Sequence, residues 1–119
     1  MFETVLLPMD ANPQALDTAV KALELVQGHD SCLVLLELLD LAPDPSLLER
    51  IKARIDQSGV PCQRLERGGE PLTVILDVAD ELNVDVIVMG TGGVSLNSDD
   101  GSTAARVIEL APCPVLVVP

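Results

Sequence analysis

Val84-Asp85-Val86-Ile87-Val88-Met89-Gly90 is a short aliphatic run that does not alternate and that ends on glycine. A strand with one wet face alternates apolar and polar residues. A continuous run of Val and Ile suits a strand covered on both faces, which is the habit of a parallel sheet sandwiched between helices. Working outward, Thr4–Met9 (TVLLPM) and Pro114–Val118 (PVLVV) have the same character. Cys32–Leu39 (CLVLLELL) is leucine-rich and also suits a helix; its shortness, and its place between Gly28 and Pro43, read as a strand. Pro61–Glu66 completes the set with fewer aliphatics.

Helical patterns fill the gaps. Leu16, Ala19, Leu23 and Val26 recur at helical spacing after Pro13, a residue suited to a first turn. Leu48, Ile51 and Ile55 do so before Gly59, and Leu72, Ile75, Ala79 and Leu82 after Pro71. Ala104, Ile108 and Ala111 form a last short helix stopped by Pro112. Strands and helices strictly alternate, which predicts an α/β fold: a three-layer, open, parallel five-stranded sheet with right-handed crossovers. With 119 residues, the chain reads as one domain, 1–119.

Composition narrows the function. Acidic residues outnumber basic ones 19 to 7, a net charge of −12. Nucleic acid and anionic membranes repel such a surface, so neither is an expected partner. Phe2 is the only aromatic residue, so bases and flavins find almost no stacking platform, and any ring ligand needs an aliphatic slot. The N-terminal Met1-Phe2-Glu3-Thr4 lacks a basic region, and the longest apolar stretch, Cys32–Ala42, is interrupted by Glu37 and Asp40. The three cysteines form no CxxC pair. Together these features predict a reduced, cytoplasmic chain.

In an open α/β sheet, ligands bind beyond the carboxyl ends of the strands, where the strand order reverses. Asp10 follows the first strand there, Leu38, Leu39 and Asp40 end the second, and Gly90 ends the fourth. Residues 91–103 (TGGVSLNSDDGST) link the fourth strand to the last helix and are rich in turn formers. A connection this long is either functional or a surface insertion. The last helix starts near Gly101-Ser102-Thr103, and its free amides with the helix dipole suit an anion. Asp10 reads either as a ribose ligand or as a helix cap.

The opening Thr4–Asp10, the segment Val86–Thr91 and the tail Arg106–Pro119, with its APCPVLVVP ending, resemble the universal stress protein family over nearly the whole chain. The resemblance implies a Rossmann-like sheet of the adenine nucleotide alpha hydrolase type, with strand order 3-2-1-4-5. It also implies an ATP or AMP site, with Mg²⁺ if the ligand is a triphosphate. Carried over residue by residue, that site comprises Pro8, Asp10, Leu38 through its backbone, Met89, Gly90, Gly93, Gly101, Ser102 and Thr103.

The chain departs from the family pattern G-x2-G-x9-G-[S/T]. Only seven residues separate Gly93 from Gly101, two fewer than the family's spacing, and Gly92 stands where a basic residue is common. Asp99 and Asp100 precede the helix; either can cap it and occupy the amides a phosphate would use. Three readings follow: a non-catalytic regulator that binds adenine nucleotide and orders residues 91–103 on binding, an interaction module that has lost ATP, and a slow ATPase.

The only histidine, His29, precedes the second strand, at the amino edge and away from this site, so no Ser-His or Cys-His pair forms there. Cys32, Cys62 and Cys113 also fall at the amino edge. In the implied order Cys113 lies three strands from Cys32, about 14 Å, so the three share no metal and read as small hydrophobes. The last strand would be a sheet edge without lysine or bulge, which predicts a homodimer through Pro114–Val118, unless Pro114 and Pro119 blunt it.

Overall fold

The computed structural model describes residues 3–9, 13–28, 30–41, 44–90 and 103–119. Five strands, β1 (Thr4–Met9), β2 (Cys32–Leu38), β3 (Cys62–Arg67), β4 (Val86–Gly90) and β5 (Val115–Val118), form one sheet in the order β3-β2-β1-β4-β5. Every neighbouring pair is parallel. Helices α1 (Ala15–Val26), α2 (Pro45–Ser58), α3 (Pro71–Glu81) and α4 (Thr103–Leu110) connect them, and a 3₁₀ turn, Leu39–Leu41, follows β2.

The aliphatic runs do what their lack of alternation predicts. Val5, Leu7, Met9, Leu33, Leu35, Val86 and Val88 pack with α1 and α2 on one face. Leu6, Val34, Leu36, Leu38, Ile87 and Met89 pack with α3 and α4 on the other. Burying each such side chain stabilises the fold by roughly 1.5–3 kcal/mol. The two edge strands differ in kind. β3 carries exposed Gln63, Arg64 and Glu66, whereas β5 is wholly aliphatic, with Leu116 42% exposed.

Local chemistry sets the helix ends. Asp44 caps α2 by accepting from the Ser46 amide at 2.8 Å, Pro45 occupies the first turn, and Gly59 closes the helix at φ +73°. Asp85 fastens the start of β1, its Oδ2 accepting from the amides of Glu3 and Thr4 at 2.8 and 2.9 Å.

Several boundaries differ from the sequence reading. Leu39 leaves the second strand for the 3₁₀ turn, and the third strand runs Cys62–Arg67 rather than Pro61–Glu66. The fourth strand starts at Val86 because Asp85 is turned toward β1, and the fifth starts at Val115, with the Pro114 carbonyl accepting from Ile87. Helix α1 starts at Ala15, so Pro13 precedes it and Gln14 holds the cap position. In α4, Ala104 and Val107 are buried and Ile108 is 44% exposed, the reverse of the expected placing of Ile108. Both 104-107-111 and 104-108-111 have helical spacing, and the packing of α4 on the sheet selects Val107. The cysteines are half-buried rather than core residues.

Candidate functional site

The strand order reverses between β1 and β4, since the connection from β1 goes to β2 on one side and β4 continues the sheet on the other. The hydrogen-bond ladder at this junction is short. β1 pairs with β4 only at Val5–Val86 and Leu6–Ile87, although β1 runs on to Met9 and β4 to Gly90. Against β2, by contrast, β1 pairs along its full length from Thr4 to Met9.

Proline explains the asymmetry. Along a strand, the amide and carbonyl of one residue point to one neighbouring strand and those of the next residue to the other. The Glu3 carbonyl accepts from Cys32 on the β2 side, and the Thr4 carbonyl accepts from Asp85 on the β4 side. The even-numbered residues of β1 therefore face β4, and Pro8 is one of them. The rung after Leu6–Ile87 needs an amide hydrogen at position 8, and proline has none. Pro8 is nonetheless buried in a central strand, which is an uncommon position for proline. It terminates the β1–β4 pairing at the carboxyl edge of the sheet.

Of the residues singled out from the sequence, the structure brings Pro8, Leu38, Met89, Gly90 and Thr103 to one edge, at the ends of β1, β2 and β4 and the start of α4. Pro8, Leu38 and Met89 are buried, and Gly90 and Thr103 are half-exposed. Asp10, Gly93, Gly101 and Ser102, together with Asp99, Asp100 and His29, lie outside the described residues.

Sequence reasoning missed two polar contacts at this edge. Asp40, in the 3₁₀ turn, accepts at Oδ2 from the Gly69 amide at 2.8 Å, tying the end of β2 to the loop before α3. Glu70 caps α3, accepting from the amides of Leu72 and Thr73 and from the Thr73 hydroxyl. The Thr73 amide first, then its hydroxyl, hold the Glu70 carboxyl below the usual carboxylate range. The signal for Glu70 was present, because an acid directly before Pro71 is a helix-start pattern. Asp40–Gly69 is a contact between residues 29 positions apart and had no local signal. Because Glu70 occupies the first amides of α3, an anion at this edge has to use other donors.

The universal stress protein family model matches residues 45–119. The chain belongs to the universal stress protein family. Universal stress protein Sll1654 of Synechocystis is 40% identical, the match covering the whole of this chain and 87% of that protein. Among solved structures, a universal stress protein in complex with cAMP superposes with a TM-score of 0.81 at 20% identity, covering 99% of this chain and 97% of the other. The Archaeoglobus fulgidus universal stress protein in complex with dAMP gives 0.71 at 22% identity, covering 100% and 98%. At these identities the structural likeness concerns the fold, and the universal stress protein sheet order is the one found here. Among the described residues, no helix is long and apolar enough to cross a membrane, and no three His, Cys, Asp or Glu side chains form a group fit for a metal ion.

Proposed function

We propose that this universal stress protein, one domain over residues 1–119, is a non-catalytic cytoplasmic regulator that binds an adenine nucleotide, ATP or AMP, in the crevice between β1 and β4. The observation that carries the reading is the ladder stopped by Pro8 at the switch point, beside Met89 and Gly90. The aliphatic character of the strand ends here, with Leu38 and Met89, suits a base in a chain almost without aromatic residues. The cAMP and dAMP complexes of two proteins of this fold support the ligand class. Pro8, Asp10, Leu38 and Met89 would hold the nucleoside. Gly90, Gly93, Gly101, Ser102 and Thr103 would hold the phosphates, with Mg²⁺ accompanying a triphosphate.

The test is native mass spectrometry of freshly purified protein, with absorbance at 260 nm. The chain has no Trp or Tyr, so a bound adenine dominates the near-ultraviolet spectrum. Co-purified AMP or ATP, or a mass shift on adding either, supports the reading; a bare protein unchanged by both refutes it. A second reading, a partner-binding module without nucleotide, is favoured by the shortened Gly93–Gly101 spacing and by Asp99 and Asp100. Either form is proposed to pair as a homodimer through β5. Its edge is aliphatic and uncharged, whereas the opposite edge, β3, is lined with charge.

A further inference from the structure

Helices α1 and α2 pack on the same face of the sheet, and a cleft of about 300 Å³ opens between them. Val20, Leu23, Glu24 and Gln27 line it from α1, a stripe at helical spacing, and Arg54, Gln57 and Ser58 face them from α2. Both stripes belong to the C-terminal parts of their helices, which lead into β2 and β3. The cleft therefore lies toward the amino edge of the sheet, away from the strand ends described above. Opposite charges meet in it without pairing. Glu24 is bound to Lys21 at 3.5 Å, and Arg54 takes part in no ion pair among the described residues. In a chain with 19 acidic side chains for 7 basic ones, that is the uncommon case. Lys21, Lys52, Arg64, Arg67 and Arg106 all have carboxylate partners; Arg50 has none but lies outside the cleft. The Gln27 and Gln57 carboxamides likewise have no hydrogen-bond partner among the described residues. Ser58 is already occupied, donating to the Ile55 carbonyl at 2.6 Å and accepting from the Val60 amide at 3.2 Å.

We propose that the α1–α2 cleft binds a zwitterionic amino acid with an aliphatic side chain. Its carboxylate would lie on the Arg54 guanidinium, its ammonium toward Glu24, and its side chain against Val20 and Leu23. The planar fork of an arginine matches a carboxylate, and the free Gln57 carboxamide adds a donor from the same helix. A ligand with negative charge alone does not suit the place. Both helices end here, the negative ends of their dipoles face the cleft region, and Glu24 adds a full charge. A ligand with positive charge alone meets Arg54. A molecule carrying both charges satisfies each wall. Val20 is half-buried and Leu23 is buried, which gives the side chain an apolar floor. The volume lies at the lower end for small-molecule sites, which suits a single amino acid. This inference is independent of the nucleotide reading.

The experiment follows backbone amide resonances of the full chain by NMR during titration with leucine, valine and methionine. At least one is expected to give saturable shifts centred on residues 20–27 and 54–58. Two analogues of leucine separate the charges: leucinamide lacks the carboxylate, and N-acetylleucine lacks the ammonium. Losing a charge-assisted hydrogen bond is worth about tenfold or more in affinity, so each analogue should bind at least about tenfold more weakly. Arg54→Gln and Glu24→Gln change exposed side chains, and circular dichroism checks that both variants fold. Arg54→Gln is expected to weaken leucine about tenfold while leaving leucinamide unchanged, and Glu24→Gln to weaken leucine while leaving N-acetylleucine unchanged. No saturable shift with any of the three amino acids, shifts centred elsewhere, N-acetylleucine binding as tightly as leucine, or full binding by Arg54→Gln each overturn the assignment.

Discussion

Lys52→Met probes the one ion pair among the described residues that is sheltered from water. Lys52 Nζ lies 3.0 Å from Glu37 Oε1, with side-chain exposures of 23% and 11%. The other pairs among the described residues have both side chains at least 41% exposed. Glu37 interrupts the aliphatic run of β2 and is itself only 8% exposed. Removing one partner of a fully buried pair costs about 3–5 kcal/mol, whereas an exposed pair is worth under about 1 kcal/mol. Partial access of water to the lysine places this pair between those limits. In the other direction, Glu66 is in register with Glu37 on the neighbouring strand and adds a like charge once Lys52 is gone. Lys52→Met, which keeps most of the apolar stem, is thus expected to cost about 2–3 kcal/mol. In a domain of this size that lowers Tm by about 8–12 °C. The assay is urea and thermal unfolding followed by far-ultraviolet circular dichroism, since the chain has no tryptophan for fluorescence. The double variant Glu37→Met with Lys52→Met is expected to recover more than half of the loss, because the cost lies in the stranded carboxylate rather than in the missing bond. A single variant within about 0.5 kcal/mol of the unmodified chain, or a double variant no better than the single, refutes the argument.

Other perturbations follow from the same structure. Glu70→Gln should lower Tm at neutral pH. The carboxyl is held below its ordinary value, so its stabilisation is present above the unfolded value and is lost as pH falls through the folded one; the variant's melting should therefore lack that acid-sensitive component. Gly69→Ala forces a side chain into φ +121° and should destabilise by about 1–3 kcal/mol in the same urea assay. Burial pushes the Cys62 and Cys113 thiols up, so both should alkylate more slowly with iodoacetamide at pH 7.5 in the folded chain than in urea; equal rates would contradict this. The Pro114 carbonyl faces β4, so the Val117 amide faces outward, and Val117→Pro should convert a dimer to monomer in light scattering while leaving circular dichroism unchanged.

The sequence by itself determined the class of fold. Aliphatic runs without apolar-polar alternation at 4–9, 32–38 and 86–90 make sense when both faces of a strand are covered, and the helical spacings between them supply the covers. Those signals are local, and so is the helix start marked by Glu70 and Pro71. Family membership was legible too, in the tail from Arg106 to Pro119, which falls inside the matched region. The frame of α4 was not legible, because eight residues with two alternative apolar stripes, one through Val107 and one through Ile108, are decided by what they pack against. The candidate site was legible only as a place, the carboxyl edge of the sheet beside the strand reversal. Leu38 and Gly90 could be listed from the sequence as strand ends, whereas Pro8 and Met89 came in only with the family resemblance. That Pro8 ends the β1–β4 ladder depends on which way its missing amide would have pointed, and only the paired sheet sets that direction. Asp40–Gly69 and Lys52–Glu37 likewise join residues from separate elements. Spacing along the chain encodes the period of each element, whereas contacts between elements depend on register and packing, which exist only once the layers have closed.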